Sequence, residues 1–255
     1  MQKYNQFDTS LPHCQWWMAL TTSQSIVDDD VYDFMALGLR KDHPDKADWL
    51  NDLNNGWGIS SREEFLHTIM RLIHAEVHGD SLLSELDFIH FAGSDQWQEY
   101  IDDQQDDKIR TTAQFADLLY HHCGLGGIRA WDYSRAGYLI RACYFCEQLT
   151  HDETCFLLNL TAQRAQYFYH SWEQYLAASI LGRNYWLFGN KTRQGPLENW
   201  GDKLLNQGLG YEYDEFYQDL LPYQPLFNQL DWHTPLPELA VPISLSELFN
   251  QEDAA

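Results

Sequence analysis

Carboxylates are the most abundant chemical resource of this chain, and they fall in three dense runs: Asp28, Asp29, Asp30 and Asp33; Asp102, Asp103, Asp106 and Asp107; Glu212, Asp214, Glu215 and Asp219. Any one run reads as a solvated face that keeps a protein in solution. Aromatic neighbours change that reading. Tyr32 and Phe34 adjoin the first run, Trp97 and Tyr100 the second, and Tyr211, Tyr213, Phe216 and Tyr217 fall within the third. Carboxylates steer a cationic partner into encounter, and rings hold it once water has been expelled. The pattern predicts a surface that binds a basic protein, with carboxylates standing where that protein would otherwise meet phosphate.

A second constellation mixes charge with indole rings. On a helix, Asp132 and Arg135 are three residues apart and Trp131 and Arg135 four apart, so an ion pair and a cation–π stack form side by side. Glu173 and Arg183 are expected to meet across adjacent helices, with the large side chains of Trp172 and Trp186 around them. The expected role is architectural, since charge pairs withdrawn from water fix an arrangement more than they add net stability. The alternative is a small basic pocket. In it Arg135, Arg141 and Arg183 would converge on an anion beside Trp131 and Asp132 and serve an enzyme or an anion-binding protein.

Metal and nucleophile signals are thinner. His67, Arg71, His74 and His78 fall on one helical stripe, and a His pair four residues apart can chelate an ion. A di-iron bundle needs two Glu-x-x-His units on facing helices, however, and only Glu64 to His67 supplies one. Cys143-x-x-Cys146 has the spacing of half a zinc site, but it sits among Leu139, Ile140, Tyr144 and Phe145, where a thiol behaves as a small apolar side chain. No Gly-x-Ser-x-Gly elbow is present, and Gly124, Gly126 and Gly127 lack the Lys-Ser/Thr ending of a phosphate loop. The expectation is a protein without cofactor, without metal and without catalytic residues.

The elements that must position these groups are helices. A Ser or Thr followed three residues later by Glu or Gln satisfies two orphaned backbone donors at a helix start. Ser60 with Glu63 or Ser61 with Glu64, Thr150 with Glu153, and Ser171 with Gln174 fit this pattern, with Thr111/Gln114 and Ser244/Glu247 as weaker cases. Gly79, Gly124 and Gly189 are the expected stops, because the residue past a helix end often takes a left-handed backbone. Strand signals are scarce: no Asn-Gly or Asp-Gly turn separates alternating apolar runs. The sequence therefore predicts an all-α, single-domain multi-helix bundle. Its expected divisions are N-terminal helices over 1–56, a core over 57–189, and a Pro- and aromatic-rich C-terminal extension over 190–255 packed on that core.

Bulk composition narrows the partners. Thirty-eight acidic against sixteen basic residues give a net charge of -22 over 255 residues, while 10 Trp, 15 Tyr and 13 Phe supply enough apolar surface for a folded body. The resulting negative field repels nucleic acid and anionic lipid. No run approaches the length of a membrane span, the opening residues lack an export signal, and five cysteines suit a reducing compartment. Cytoplasm is the expected location. An acidic cytoplasmic binder of a basic protein is, in functional terms, closest to an immunity protein that covers the cationic cleft of a toxin domain.

Three blocks carry a family resemblance: Trp57-Gly58-Ile59 followed by Ser60-Ser61-Arg62-Glu63-Glu64; Ala130-Trp131-Asp132 with Arg135 and Arg141; and Ser171-Trp172-Glu173 leading to Gly182-Arg183-Asn184-Tyr185-Trp186. In that order they resemble the bacterial family catalogued as domain of unknown function 1266, over roughly Trp57 to Trp186. The resemblance implies a helical bacterial protein and brings no shared catalytic motif with it.

Overall fold

The computed structural model describes residues 10–27, 46–191 and 218–250. Every regular element among them is helical: α1 (Pro12–Leu20), α2 (Thr22–Val27), α3 (Lys46–Trp57), α4 (Arg62–Ile73), α5 (Leu83–Ala92), α6 (Ser94–Asp103), α7 (Asp107–Cys123), α8 (Arg129–Phe145), α9 (His151–Phe168), α10 (Trp172–Lys191), α11 (Gln224–Gln229) and α12 (Ser246–Asn250). The chain adopts the all-α class that its sequence predicts.

Helix starts follow the capping chemistry, because they depend on neighbours in sequence. Ser61 caps α4, its hydroxyl accepting from the Glu64 N–H while the Glu64 carboxylate accepts from the Ser61 N–H. Thr150 and Glu153 make the same reciprocal pair at α9. At α10 the Ser171 hydroxyl accepts from the Gln174 N–H. The two weaker boxes are not used. Helix α7 begins earlier than Thr111, where Asp106 accepts from the N–H groups of Lys108 and Ile109. Ser244 lies in a 3-10 turn and sends its hydroxyl to Glu153 instead.

The stops depart from the glycine expectation at two places. After α4 and after α8 the chain reverses through Ala75 (φ 61°) and Glu147 (φ 58°), left-handed positions where glycine is usual. The bonds Glu76 N–H to Arg71 C=O and Ala75 N–H to Leu72 C=O close the first turn; Gln148 to Cys143 and Glu147 to Tyr144 close the second. These are Schellman turns built without glycine. Gly79 serves close packing, since a Cβ there would lie 2.6 Å from the Ala75 Cβ and 3.0 Å from the Arg129 Cα. Gly189 lies inside α10, whereas Gly124 (φ 60°) does end α7.

Helix α8 forms the axis of the molecule. It is buried on all faces and packs against α1, α2, α4, α9 and α10. Gly182 lets α10 approach it closely: a Cβ at that position would stand 2.5 Å from the Cβ of Trp131. Tyr169 completes the start of α8, accepting from the Ala130 N–H at 2.9 Å and donating towards the carbonyls of Gly126 and Gly127. An inter-helix hydroxyl thus does the work of the missing N-cap side chain.

The C-terminal segment crosses this body as a strap. Trp232 is buried against Trp16 and Trp172, with ring centroids 5.1 and 4.8 Å away, and its indole N–H donates to the Tyr169 carbonyl. From there the irregular backbone runs along α9 in the opposite direction. The Gln166 amide donates to the carbonyls of Trp232 and Thr234, the Asn159 amide to Pro237, and the Ser244 hydroxyl donates to Glu153. Gln166 and Asn159 are seven residues apart and so share one face of α9, while Glu153 meets the far end of the strap from the helix's first turn.

Candidate functional site

Asp132 sits in the first turn of α8, fully buried, and its carboxylate receives three successive backbone N–H groups from the turn after α4. The donors are Val77 at 3.2 Å, His78 at 2.8 Å and Gly79 at 2.9 Å, all to Oδ2. The other oxygen pairs with the Arg135 guanidinium. Arg135 in turn lies over the Trp131 ring at 4.7 Å and faces the Trp57 ring at 5.8 Å. The ion pair and stack expected from the spacing both form.

The neighbours of this pair are set by burial and charge. Arg135 donates to His78 Nδ1 at 3.0 Å, which requires that nitrogen to keep its lone pair. Burial, reinforced by the Arg135 charge, holds His78 below the usual histidine range, and burial likewise lowers Arg135 from its ordinary value. One turn earlier on α8, Arg129 pairs with Asp80 at 2.7 Å and stacks over Phe168. Burial pushes the Asp80 carboxyl up, with Arg129 acting against that shift. A single turn of chain, 77–80, is thereby clamped to α8 by one ion pair, the Arg135–His78 hydrogen bond and three backbone donors. Both Asp132 oxygens are engaged by the chain's own groups, so the arrangement holds a helix and a turn together.

The other residues of the mixed-charge constellation separate. Arg141 is two turns further along α8 and donates to the hydroxyls of Thr21 and Ser25, at 3.1 and 2.9 Å. Arg135 and Arg141 therefore serve different neighbours. Glu173 and Arg183 lie on the same helix, α10, and not on adjacent ones; ten residues of helix place them about 15 Å apart. Glu173 is exposed at the helix start and Arg183 half-buried. Trp172 is buried in the strap cluster, donating to the Leu230 carbonyl, while Trp186 packs beside Trp131.

One further expectation changes with the end of α4. Because α4 stops at Ile73, His74 and His78 do not share a helical stripe; His78 belongs to the Asp132 clamp. Cys143 and Cys146 are both buried, and burial pushes the Cys143 thiol well up. Among the described residues no cluster of three His, Cys, Asp or Glu is placed to hold a metal. Glu153 was read only as a cap. It also pairs with Arg62 at 2.5 Å and accepts from Ser244, linking α4, α9 and the strap. Burial works to raise its carboxyl, but the hydrogen bonds from Ser244, Thr150 and Arg62 outweigh burial and hold it below the ordinary range.

Of the acidic runs, only the second is wholly described. Asp28, Asp29, Asp30 and Asp33, with Glu212, Asp214 and Glu215, lie outside the described residues; Asp219 is exposed. Asp102, Asp103, Asp106 and Asp107 are all exposed, at the corner where α6 meets α7. Asp106 caps α7 and Asp107 pairs with Arg110, whereas Asp102 accepts only from the neighbouring Gln98 amide at 2.8 Å. The rings beside the run do not flank it as expected. Trp97 is 2% exposed, packed with Ile101, Ala113 and Ala116 in a small core of its own, and Tyr100 stacks on it. The exposed rings on neighbouring α5, which sequence reading missed, are Phe88, set against Trp97 and Tyr100 of α6, and Phe91 near the α5–α6 turn.

What the fold and the clamp define together is an all-α protein wound around a buried, charge-bearing central helix. The chain belongs to the bacterial family described as "Protein of unknown function (DUF1266)", whose model matches residues 52–207. That match begins before Trp57 and continues past Trp186, so it takes in all three resembling blocks and reaches beyond α10. The chain is similar to two proteins of Escherichia coli K12. "Uncharacterized protein YbeU" is 30% identical over 198 residues, 74% of this chain and 83% of the relative. "Uncharacterized protein YbeR" is 30% identical over 205 residues, 77% of this chain and 82% of the relative. No solved structure matches the chain. No helix among the described residues is long and apolar enough to cross a membrane.

Proposed function

We propose that this protein is an acidic cytoplasmic binding protein that neutralises a basic protein by covering its cationic cleft, in the manner of an immunity protein against a toxin domain. The observation that carries the reading is the α6–α7 corner. Asp102, Asp103, Asp106 and Asp107 are all exposed there, Asp106 capping α7 and Asp107 paired with Arg110, on a chain whose net charge is -22. Carboxylates held on a helix keep their spacing, so Asp102 and Asp103 at the end of α6 offer a phosphate-binding cleft a preset pair of anions. The engagement of Asp132 and Arg135 with each other and with the 77–79 backbone supports a structural role for that pair, and this favours binding over catalysis as the function. The test is co-expression with the basic product of an adjacent gene. A 1:1 complex that dissociates as salt is raised supports the proposal; failure of any such product to bind at low salt overturns it.

A further inference from the structure

Helix α5 is the least covered helix near the acidic corner. It packs on α6, α7 and the 3-10 turn at Gly124–Gly126, yet Leu86 is its one buried residue. Its outer side carries Phe91 at 83% exposure, Phe88 at 41% and Leu83 at 37%. Leu83, Asp87 and Phe91 follow one another at four-residue intervals, so a carboxylate stands between two apolar side chains on a single line of the helix. Phe88 lies beside that line with its ring braced edge-on by Trp97 and Tyr100, at 5.5 and 5.4 Å. A phenyl ring so held loses little freedom when it is covered.

We infer that this face of α5 docks an amphipathic basic helix of the partner, its apolar side chains seated over Phe88 and Phe91 and its cations on Asp87, Asp102 and Asp103. The inference rests on the binding role proposed above and adds the face and the shape of what it takes. Charge decides between occupants. Across residues 83–110 the sequence carries Glu85, Asp87, Asp95, Glu99, Asp102, Asp103, Asp106 and Asp107 against Lys108 and Arg110 alone. A second copy would bring the same excess of carboxylates to the contact, and like charges set opposite one another oppose association. A basic helix meets both features at once: anchors recurring three and four residues apart fit an apolar stripe, and lysines on its flanks reach the bordering carboxylates.

The probe is a synthetic helical peptide of leucine and lysine, titrated calorimetrically into the full chain, beside a peptide of equal charge with serine in place of leucine. The leucine peptide is expected to bind and the serine peptide to bind far more weakly. Phe91→Ser is expected to weaken binding of the leucine peptide about tenfold or more with unchanged thermal unfolding, since Phe91 supports no core. Asp87→Asn should weaken it less and flatten its salt dependence. Equal binding of both peptides, or no effect of Phe91→Ser, overturns the inference. So does a concentration-dependent dimer in sedimentation that Phe91→Ser abolishes, which would make a second copy the occupant. The two proposals fail separately: a co-expressed basic partner held undiminished by Phe91→Ser sinks this face and leaves the function standing, whereas Phe91-dependent peptide binding without any basic partner does the reverse.

Discussion

At the scale of single residues, the Asp132 clamp shows what spacing can and cannot convey. The Asp132–Arg135 pair and the Trp131 stack are consequences of helical geometry alone and were legible in the sequence. The three N–H donors from 77–79 come from a different element, and nothing local announces them. Glu173 and Arg183 were misplaced for the same reason, because their pairing depended on a helix break that does not occur. Removing one partner of a buried pair leaves the other charge uncompensated. Asp132→Asn should therefore cost about 3–5 kcal/mol in urea unfolding. Asp132→Asn combined with Arg135→Met should cost less than the two single changes added, which distinguishes a coupled pair from two independent contacts. His78 adds a pH dependence. Burial and the Arg135 charge lower its pKa in the folded state, so from pH 6.5 downward the unfolded chain takes up a proton that the folded chain refuses. Stability falls as pH drops through that window and levels off below the folded value. In urea unfolding followed across pH, His78→Gln should remove part of this slope; an unchanged slope would show that His78 contributes nothing to it.

At the scale of elements, helix starts were legible and helix ends were not. A capping box spans four residues, so Ser61–Glu64 and Thr150–Glu153 could be read directly. The ends at Ala75 and Glu147 use residues that carry no such signal, whereas Gly79, expected as a stop, and Gly182 answer to close approaches to α8. This gives two substitutions of opposite sign. Glu147 is exposed and strained, and the left-handed conformation costs a residue with a Cβ about 1–2 kcal/mol, against about 0.5–1 kcal/mol of extra chain entropy for glycine. Glu147→Gly should stabilise the protein by about 0.5–1 kcal/mol. Gly182→Ala adds a methyl group within 2.5 Å of the Trp131 Cβ and forces α8 and α10 apart. It should destabilise by about 1–3 kcal/mol. Urea midpoints moving in the same direction for both would refute this account of the two sites.

At the scale of the whole molecule, the acidic charge was visible from composition, but which rings stay exposed beside it was not. Sequence proximity pointed to Trp97 and Tyr100, whereas burial turns them into the small core and leaves Phe88 and Phe91 outside. Adjacency along a chain does not decide which face of a helix a ring occupies; the neighbouring helices do. The strap follows the same logic on a larger scale. Trp16, Trp172 and Trp232 come from the first described helix, from α10 and from the C-terminal segment, and their rings meet at 4.7 to 5.1 Å. Each indole N–H is satisfied by a backbone carbonyl: Trp16 by Trp232, Trp172 by Leu230, and Trp232 by Tyr169. Trp232 thus contributes apolar burial, a donor and an acceptor at one junction. Trp232→Ala should cost about 3–5 kcal/mol and loosen the strap along α9. The loss at α9 separates this from general destabilisation. Limited proteolysis should cut first between Asp231 and Pro242, where side chains of Gln166 and Asn159 hold irregular backbone, while α8 stays protected from hydrogen exchange. If α8 and the strap open together at the same free energy, the strap is part of the cooperative core and not a separately released layer.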